Sequence, residues 1–376
     1  MVKKKIVISA VNLNVGGTLT ILRDCLGYLS RLAQAGEYEV LALVHRRDLA
    51  DFPNINYIET TWPKKRWINR LWYEYVSMKK ISREIGPVHL WFSLHDTTPN
   101  VVAERRAVYC HNPFPFYRWS WRECFFSPRI VLFALFSKFI YRTNIQQNDF
   151  VVVQQQWLKA AFTRMFSLSK EKIVVALPDA PKWTKSSGVH LLRPGGAYVF
   201  VFPASPNSHK NFECICKAAA MLKDAGVENF KVYLTLSGKE NPYATWLYEQ
   251  WGSNPALRFI GFQDRHSLFV YYDEANCLLF PSKVETWGLP ITEFAALKKT
   301  MLLADLQYAK ESAAGCEQVS FFDPERPEML AAQMKALIEG DTSFLKPVPV
   351  QTIEEPAVNS WPALFDILLQ SYPKQH

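Results

Sequence analysis

Short β-rich runs alternate with longer segments of helical periodicity through the first half of the chain. The predicted strands are residues 6–10, 39–44, 88–92, 107–110 and 150–153, and the predicted helices include residues 18–34 and 69–85. Strands that alternate with helices form parallel sheets, because each crossover helix returns the chain to the same edge of the sheet. The first half is therefore predicted to be a doubly wound α/β domain.

The same alternation begins again after a proline-rich stretch at residues 178–190. Strands are predicted at residues 198–202, 230–236, 277–280 and 301–304, with helices at 212–225 and 291–297. A chain of 376 residues is long enough for two such cores. We therefore predict an N-terminal domain over residues 1–180, a C-terminal domain over 181–350, and a final segment, 351–376, whose helix at 361–369 returns toward the N-terminal domain. Ligands are expected at the carboxyl ends of the strands, in a cleft between the domains.

Charge is distributed unevenly between the two halves. Residues 1–180 contain 25 basic and 14 acidic side chains, a net charge of +11, whereas residues 181–376 have a net charge of −3. The basic half is expected to face an anionic partner, such as a membrane surface, a phosphate-bearing substrate or nucleic acid. The 7 cysteines are scattered and odd in number, which favours reduced thiols in the cytoplasm. No apolar run approaches the roughly 20 residues that a spanning helix needs.

Gly16 and Gly17 lie between the first predicted strand and its helix. Glycine lets a ligand approach the backbone, and a helix N-terminus presents unpaired N–H groups suited to phosphate or sugar hydroxyls. A plain tight turn is the alternative interpretation. The third glycine of the dinucleotide fingerprint is missing, and the chain contains no phosphate-loop pattern.

Lys210 occupies the corresponding turn of the second half, between the strand at 198–202 and the helix that begins at Phe212. A lysine at this turn can place its ammonium group against a diphosphate. A solvated surface lysine is the alternative.

The segment 280–295 carries the sharpest pattern in the sequence. A buried strand stops at Pro281, Glu285 and Gly288 follow in a loop, Pro290 suits a first helical position, and Glu293 falls in the first helical turn. Two carboxylates eight residues apart can both accept hydrogen bonds from sugar hydroxyls in one cleft. Alternatively, the helical carboxylate only complements the helix dipole and the loop carboxylate is solvated.

Together these residues resemble the glycosyl transferases group 1, the retaining family 4 enzymes of GT-B fold. The resemblance rests on the Glu285 to Glu293 pattern, on the lead-in from residues 259–262 through 271–272 to 280–282, and on Asp305, Glu311 and residues 322–324. It covers essentially the whole second half. In the first half the match is looser and involves Gly16, Gly17 and the segment 109–114, which contains His111. The chain is most similar to bacterial enzymes that build O-antigen or capsule polysaccharide.

The resemblance implies roles for the donor-side residues. Glu293 would hold the ribose hydroxyls of the nucleotide, and Glu285 would lie beside the donor sugar. Backbone N–H groups would help to bind that sugar at Trp287, Gly288 and Leu289. Lys210 would neutralise the departing diphosphate. Because Ser205 stands where many members have an arginine, only the helix N-terminus and His209 are left to assist the lysine.

For the first half the resemblance implies that His111 contacts the donor sugar near the reacting carbon. Gly16 and Gly17 would let the N-terminal domain close on the donor phosphate and the acceptor. Without the resemblance, a histidine at this turn is as well explained as a core or turn residue.

The expected activity is metal-independent transfer of a sugar from a nucleotide-sugar donor, with retention of anomeric configuration and no covalent intermediate. Positioned N–H groups and one lysine can stabilise a leaving diphosphate in place of Mg²⁺, and the chain contains no Asp-x-Asp motif. No cofactor and no metal site are expected. The resemblance suggests a GDP-mannose-type donor and a lipid-linked or oligosaccharide acceptor.

Two segments combine cations with aromatic side chains. Residues 60–83 contain seven lysines and arginines against Glu74 alone, interleaved with tryptophan and tyrosine, and residues 114–142 have a similar composition. This combination is typical of proteins that lie on an anionic membrane, and it predicts a cytoplasmic protein held at the inner face of the membrane. The alternative is that the aromatics are core and the charges a solvated face.

Two other functions stay open at this stage. A nucleotide-sugar epimerase or a catalytically silent sensor can share the same architecture. A protein that binds single-stranded nucleic acid would explain the basic aromatic segments, but it would leave Glu285, Glu293 and Lys210 without a function, so no nucleic-acid partner is expected.

Overall fold

The computed structural model describes residues 3–14, 16–117, 126, 128–178 and 196–370. The chain forms two compact units. Unit 1 comprises residues 1–112, 136–179 and 353–376, and unit 2 comprises residues 113–135 and 180–352. The described residues within 113–135 thus cluster with the second unit, whereas the sequence analysis predicted an N-terminal domain over residues 1–180. Most of the proline-rich stretch at 178–190 lies outside the described residues.

Unit 1 contains an eight-stranded parallel sheet in the order β14-β7-β6-β5-β4-β1-β2-β3. Its strands are β1 (Lys4–Ala10), β2 (Tyr38–Val44), β3 (Ile55–Glu59), β4 (Leu90–Ser93), β5 (Arg105–Cys110), β6 (Phe150–Val153), β7 (Ile173–Ala176) and β14 (Ala357–Val358). The strand order reverses direction between β1 and β4. Ligands of doubly wound sheets bind at such a reversal, beyond the carboxyl ends of the strands.

The helices of unit 1 cover the two faces of this sheet. They are Gly16–Gln34, Trp67–Trp72, Met78–Glu84, Gln156–Phe166 and Trp361–Leu369, and the helix Pro128–Arg142 includes residues of both units. The last helix inserts Leu364, Phe365 and Leu368 into the main core of unit 1. Its Phe365 ring packs edge-on against Phe92 of β4, with ring centroids 5.8 Å apart.

Unit 2 contains a six-stranded parallel sheet in the order β10-β9-β8-β11-β12-β13. Its strands are β8 (Tyr198–Phe202), β9 (Phe230–Leu234), β10 (Leu257–Phe259), β11 (Cys277–Phe280), β12 (Thr300–Ala304) and β13 (Val319–Phe322). Its helices are Phe212–Asp224, Pro242–Trp251, Arg265–Glu274, Leu289–Ala295, Gln307–Ser312 and Pro327–Ile338. Here the order reverses between β8 and β11, so the turns after these two strands lie side by side.

The predicted architecture of two doubly wound α/β domains is confirmed, with local differences. The helix predicted over residues 69–85 is divided by a π-helical turn at Tyr73–Ser77. Short edge strands such as β3, β10 and β13 were not predicted, because half-exposed strands of three to five residues lack a continuous apolar run. None of the described helices has the length and apolar character needed to cross a membrane.

Candidate active site

The turns after β8 and β11 bring together two residues that are 75 positions apart in the sequence. Lys210, in the turn after β8, donates a hydrogen bond from its ammonium group to Oε1 of Glu285, in the turn after β11. Only 18% of the lysine side chain and 14% of the glutamate side chain are exposed. Opposite charges that are largely withdrawn from water interact more strongly than a surface pair.

The loop that carries Glu285 is fixed by contacts on both sides. The Asn211 side chain donates to the carbonyl of Pro281 at 3.3 Å, and the backbone N–H of Lys283 donates to the carbonyl of His209 at 2.8 Å. The Tyr308 hydroxyl donates to the carbonyl of Ser282 at 2.6 Å. The two turns therefore form one connected structure, in which Lys210 and Glu285 are held by the backbone as well as by their own ion pair.

Gly288 occupies a position that requires glycine. Its φ is +83°, in the left-handed region, and it directly precedes the helix Leu289–Ala295. A Cβ atom built on it would lie 3.2 Å from Cδ1 of Ile291. The neighbouring Trp287 donates from its indole nitrogen to the Thr292 hydroxyl at 3.4 Å, and the Leu289 side chain is exposed. Glycine thus allows the sharp change of direction from the Glu285 loop into the helix that carries Glu293.

Glu293 lies on that helix in a largely buried position. The buried hydroxyl of Tyr272 donates to its Oε2 at 3.2 Å, and Nη2 of Arg265 lies 3.6 Å from its Oε1. Burial raises the pKa of the Glu293 carboxyl, and the nearby arginine and tyrosine only partly offset this effect. The carboxylate therefore has a hydrogen-bond donor on one side and an exposed cation on the other.

His209 and Ser205, which flank Lys210, differ in environment. The His209 imidazole packs edge-on against Phe114, with ring centroids 5.1 Å apart. Burial, reinforced by the charge of Lys210, lowers the pKa of His209 to about 3, so the ring is neutral at physiological pH. In this neutral form the ring adds no charge beside Lys210, and any assistance to a diphosphate would come from a ring N–H as a hydrogen-bond donor. Ser205 is exposed and accepts a hydrogen bond from the Asn207 side chain at 3.0 Å.

The remaining predicted residues belong to unit 1. Gly16 has a φ of +60°, and a Cβ on either Gly16 or Gly17 would meet nothing within 4 Å among the described atoms. His111 directly follows β5, and its backbone N–H donates to Oδ1 of Asp96 at 2.7 Å. Its ring Nε2 lies 3.5 Å from Oδ2 of the same carboxylate. The glycines follow β1 and His111 follows β5, so these residues mark the carboxyl edge of the first sheet.

The predicted membrane-facing segment at 60–83 is described in full, and one of its cations is not at the surface. Arg70 donates from Nε to Oε1 of Glu74 at 2.7 Å, and the Glu74 side chain is completely buried. Arg70 is therefore part of the interior of unit 1. Large apolar side chains of the same segment are exposed instead, namely Trp62, Trp67, Ile68, Trp72 and Val76. Of the second basic segment, residues 118–125 and 127 lie outside the described residues.

Three residues with direct contacts to the predicted site were not identified from the sequence. Tyr272 and Arg265 contact Glu293, and Asp96 contacts His111. Tyr272 stood within the recognised lead-in pattern, but its hydrogen bond depends on how two helices pack. A carboxylate just after a predicted strand was the available signal for Asp96. Among the residues described, no group of three or more histidine, cysteine or acidic side chains could hold a metal ion.

The family comparison involves the unit that contains the Lys210–Glu285 pair. Residues 189–347 match the family glycosyl transferases group 1. This matched segment includes every predicted site residue of unit 2, from Ser205 to Glu293. No curated protein sequence matches the chain significantly.

Solved structures show the same fold across nearly the whole chain. A glycosyltransferase from Rickettsia africae superposes with a TM-score of 0.64 at 15% identity, covering 90% of this chain and 89% of its own. The lipopolysaccharide outer core galactosyltransferase WaaB, in its apo form, gives 0.60 at 12% identity, with 97% and 100% coverage. HepE from Anabaena, in complex with UDP and glucose, gives 0.59 at 14% identity, with 91% and 92% coverage. The two parallel α/β sheets are therefore those of a GT-B fold.

Proposed function

We propose that this protein is a glycosyltransferase that moves a sugar from a nucleotide-sugar donor to a lipid-linked or oligosaccharide acceptor. Transfer is proposed to retain anomeric configuration and to need no metal, and the product to enter a cell-surface polysaccharide such as O-antigen or capsule. The observation that supports this proposal best is the Lys210–Glu285 pair at the strand-order reversal of unit 2. It lies within the segment that matches glycosyl transferases group 1.

In this proposal Lys210 acts on the leaving group. When the bond between the anomeric carbon and the diphosphate breaks, negative charge develops on the phosphate oxygens. A positioned ammonium group in a partly dehydrated site stabilises that charge without reorganising. The acceptor hydroxyl attacks from the face that the diphosphate leaves, and its proton passes to the departing phosphate oxygen. Glu285 keeps Lys210 in place before the donor arrives and then accepts hydrogen bonds from the donor sugar.

Glu293 is proposed to bind the nucleotide. A carboxylate can accept hydrogen bonds from two neighbouring ribose hydroxyls. The Tyr272 hydroxyl orients this carboxylate by donating a hydrogen bond to Oε2. Two nucleotide families are candidates for the donor, the guanosine and the uridine nucleotides. The sequence resemblance favours a GDP-mannose-type donor, and the similar structure of HepE contains UDP and glucose.

Thermal unfolding with nucleotides tests the donor site. We expect the melting temperature to rise with one family among GDP, GDP-mannose, UDP and UDP-glucose, in EDTA, because a ligand that binds only the folded state stabilises it. Glu293→Gln should weaken that ligand about 10–100-fold, since it removes a charged hydrogen-bond acceptor. A shift that requires Mg²⁺ would contradict metal-independent binding. A shift with oligonucleotides alone would favour a nucleic-acid-binding protein.

The same variant has an internal control for folding. Because burial raises the pKa of Glu293 in the folded state, ionisation of this carboxyl opposes folding as the pH rises through its titration range. Glutamine does not ionise, so the ligand-free variant avoids this cost and should be at least as stable as the wild type at pH 7. In acid, where the carboxyl of the wild type is protonated, the difference in stability should disappear. A lost ligand shift then reports on the site rather than on unfolding.

We also propose that unit 1 binds an anionic membrane through its exposed aromatic segment, residues 62–76. Five large apolar side chains are exposed there, with Trp72 58% and Ile68 69% exposed. Lys64, Lys65 and Arg66 are exposed beside them. Tryptophan at the headgroup level combined with cations for acidic lipids is the arrangement of monotopic membrane proteins, and it would bring the enzyme to a lipid-linked acceptor.

Vesicle sedimentation tests this surface. Lys64→Glu/Lys65→Glu/Arg66→Glu should lower partitioning onto phosphatidylglycerol vesicles about 100-fold, since each cation near the surface contributes about 1 kcal/mol. Arg70 is left unchanged because it is needed inside unit 1. The matched control reverses three exposed cations of unit 2, Lys239, Arg258 and Lys346. Equal binding by the triple variant and the wild type, or an equal loss in the control, would refute a specific docking surface.

A further inference from the structure

A buried polar cluster holds the loop that follows β4 in unit 1. Glu74 accepts hydrogen bonds from Nε of Arg70 at 2.7 Å and from the Thr97 hydroxyl at 2.6 Å, and Nδ1 of His95 lies 3.2 Å from its Oε1. Arg70 also donates from Nη2 to the carbonyl of His95 at 2.9 Å. Both carboxylate oxygens of Glu74 and the guanidinium group of Arg70 therefore contact residues 95–97.

The Glu74 carboxyl of this cluster is held in its ionised form. Burial by itself would raise the pKa of Glu74, but the charges of Arg70 and His95 lower it to about 2. Glu74 is thus ionised across the physiological range. A buried charge that is satisfied by several partners restrains those partners closely, because any displacement exposes an unpaired charge to a low-dielectric interior.

Asp96 is the middle residue of the segment 95–97 that this cluster holds. Its φ is +70°, a left-handed conformation that side-chain-bearing residues seldom adopt. Its backbone N–H donates to the carbonyl of Tyr109 at 3.2 Å, which ties it to β5. Its carboxylate is directed at His111, accepting from the backbone N–H at 2.7 Å and lying 3.5 Å from ring Nε2. Strained residues held by surrounding contacts concentrate at functional sites.

We infer that Asp96 is a positioning residue for His111, and that the Arg70–Glu74–His95–Thr97 cluster exists to hold Asp96 in place. This rests on the proposed function, in which His111 contacts the donor sugar. The carboxylate keeps the proton of the His111 ring on Nε2. Ring Nδ1 then remains an acceptor, and it is buried with no hydrogen-bond partner among the described residues.

The chain offers a matched control in Asp149. Its Oδ2 accepts from the backbone N–H of Arg106 at 2.9 Å, near the start of β5, just as the Asp96 carboxylate accepts from the backbone N–H that directly follows the strand. Asp149 is exposed, and the structure shows no contact between it and a histidine in the described residues. Asp149→Asn and Asp96→Asn therefore make the same chemical change beside the same strand, and only the second removes a carboxylate from His111.

Two readouts of these variants test the inference. The first is the His111 ring tautomer, measured by long-range ¹H–¹⁵N NMR and assigned among the 8 histidines with His111→Gln. Wild type and Asp149→Asn should carry the proton on Nε2, and Asp96→Asn should shift it toward Nδ1. The second is sugar transfer with the donor found by thermal unfolding. Asp96→Asn should lower kcat about 10–100-fold, the loss seen in metalloenzymes when a carboxylate that orients a histidine is removed, with an unchanged nucleotide-induced thermal shift.

Thr97 extends the test to the cluster. Thr97→Val removes the hydroxyl that donates to Glu74, and it should reproduce both effects of Asp96→Asn. Thr97→Ser keeps a hydroxyl and should therefore match the wild type in ring tautomer and in kcat. An unchanged tautomer in Asp96→Asn overturns the inference, as does a kcat within twofold of wild type. The ring readout needs no sugar transfer, so it decides the Asp96–His111 coupling even if the proposed function fails, which a wild type without any nucleotide shift would reveal.

Discussion

Replacing Lys210 with alanine is expected to lower kcat for sugar transfer about 10²–10³-fold, the loss seen when one preorganised transition-state donor is removed. The effect has two sources. The leaving diphosphate loses its cation, and the Glu285 carboxylate, only 14% exposed, is left without its partner. An unpaired carboxylate beside a developing phosphate charge repels it, so the variant is worse than one with a neutral site.

A double-mutant cycle separates these two sources. Glu285→Gln in the Lys210→Ala background removes the repulsion, so the double variant should be more active than Lys210→Ala alone. Lys239→Ala, which changes an exposed lysine of the same unit, is the control and should leave kcat unchanged. The rates come from initial velocities with saturating donor and acceptor. If Lys210→Ala retained more than a tenth of wild-type kcat, charge stabilisation by this lysine would be refuted.

The parts of the fold that were predictable from sequence are those whose signal is local. The strands Phe150–Val153, Tyr198–Phe202 and Cys277–Phe280 match their predicted bounds, because central strands of a parallel sheet are buried on both faces and appear as continuous apolar runs. The last helix also matches at Trp361–Leu369, where a serine N-cap and a proline mark its first turn. Edge strands, exposed on one side, carry no such run.

The site depended on information that is not local. Lys210 and Glu285 meet because β8 and β11 are neighbours, and strand order is a property of the whole sheet. Glu74 shows more clearly what could not be predicted from the sequence. In the sequence it is one acidic residue in a basic segment and would be placed on a solvated face, whereas in the fold it is completely buried between Arg70 and the loop at 95–97. Only tertiary packing places Glu74 against His95 and Thr97, the neighbours of Asp96.

Replacing Arg70 with methionine is expected to destabilise unit 1 by about 3–5 kcal/mol at pH 7, since removing one partner of a buried ion pair leaves the other charge uncompensated. The direction agrees with the pKa of Glu74, which burial would raise but which the charges of Arg70 and His95 lower to about 2, so the ionised carboxyl stabilises the folded wild type. Urea denaturation followed by tryptophan fluorescence measures the change.

The pH dependence identifies the source of the loss. In the wild type, the stability that Glu74 contributes is fully present above its unfolded pKa near 4.5 and is lost as the pH falls toward 2. In Arg70→Met, burial dominates and the carboxyl resists ionisation, so the deficit should be largest at pH 7 and should shrink as Glu74 becomes protonated in acid. Arg46→Met, which breaks the exposed pair with Asp48, should leave stability nearly unchanged at either pH, because solvent screens an exposed ion pair. An Arg70→Met deficit equal at pH 3 and pH 7 would show that lost packing, rather than the unpaired Glu74 charge, causes it.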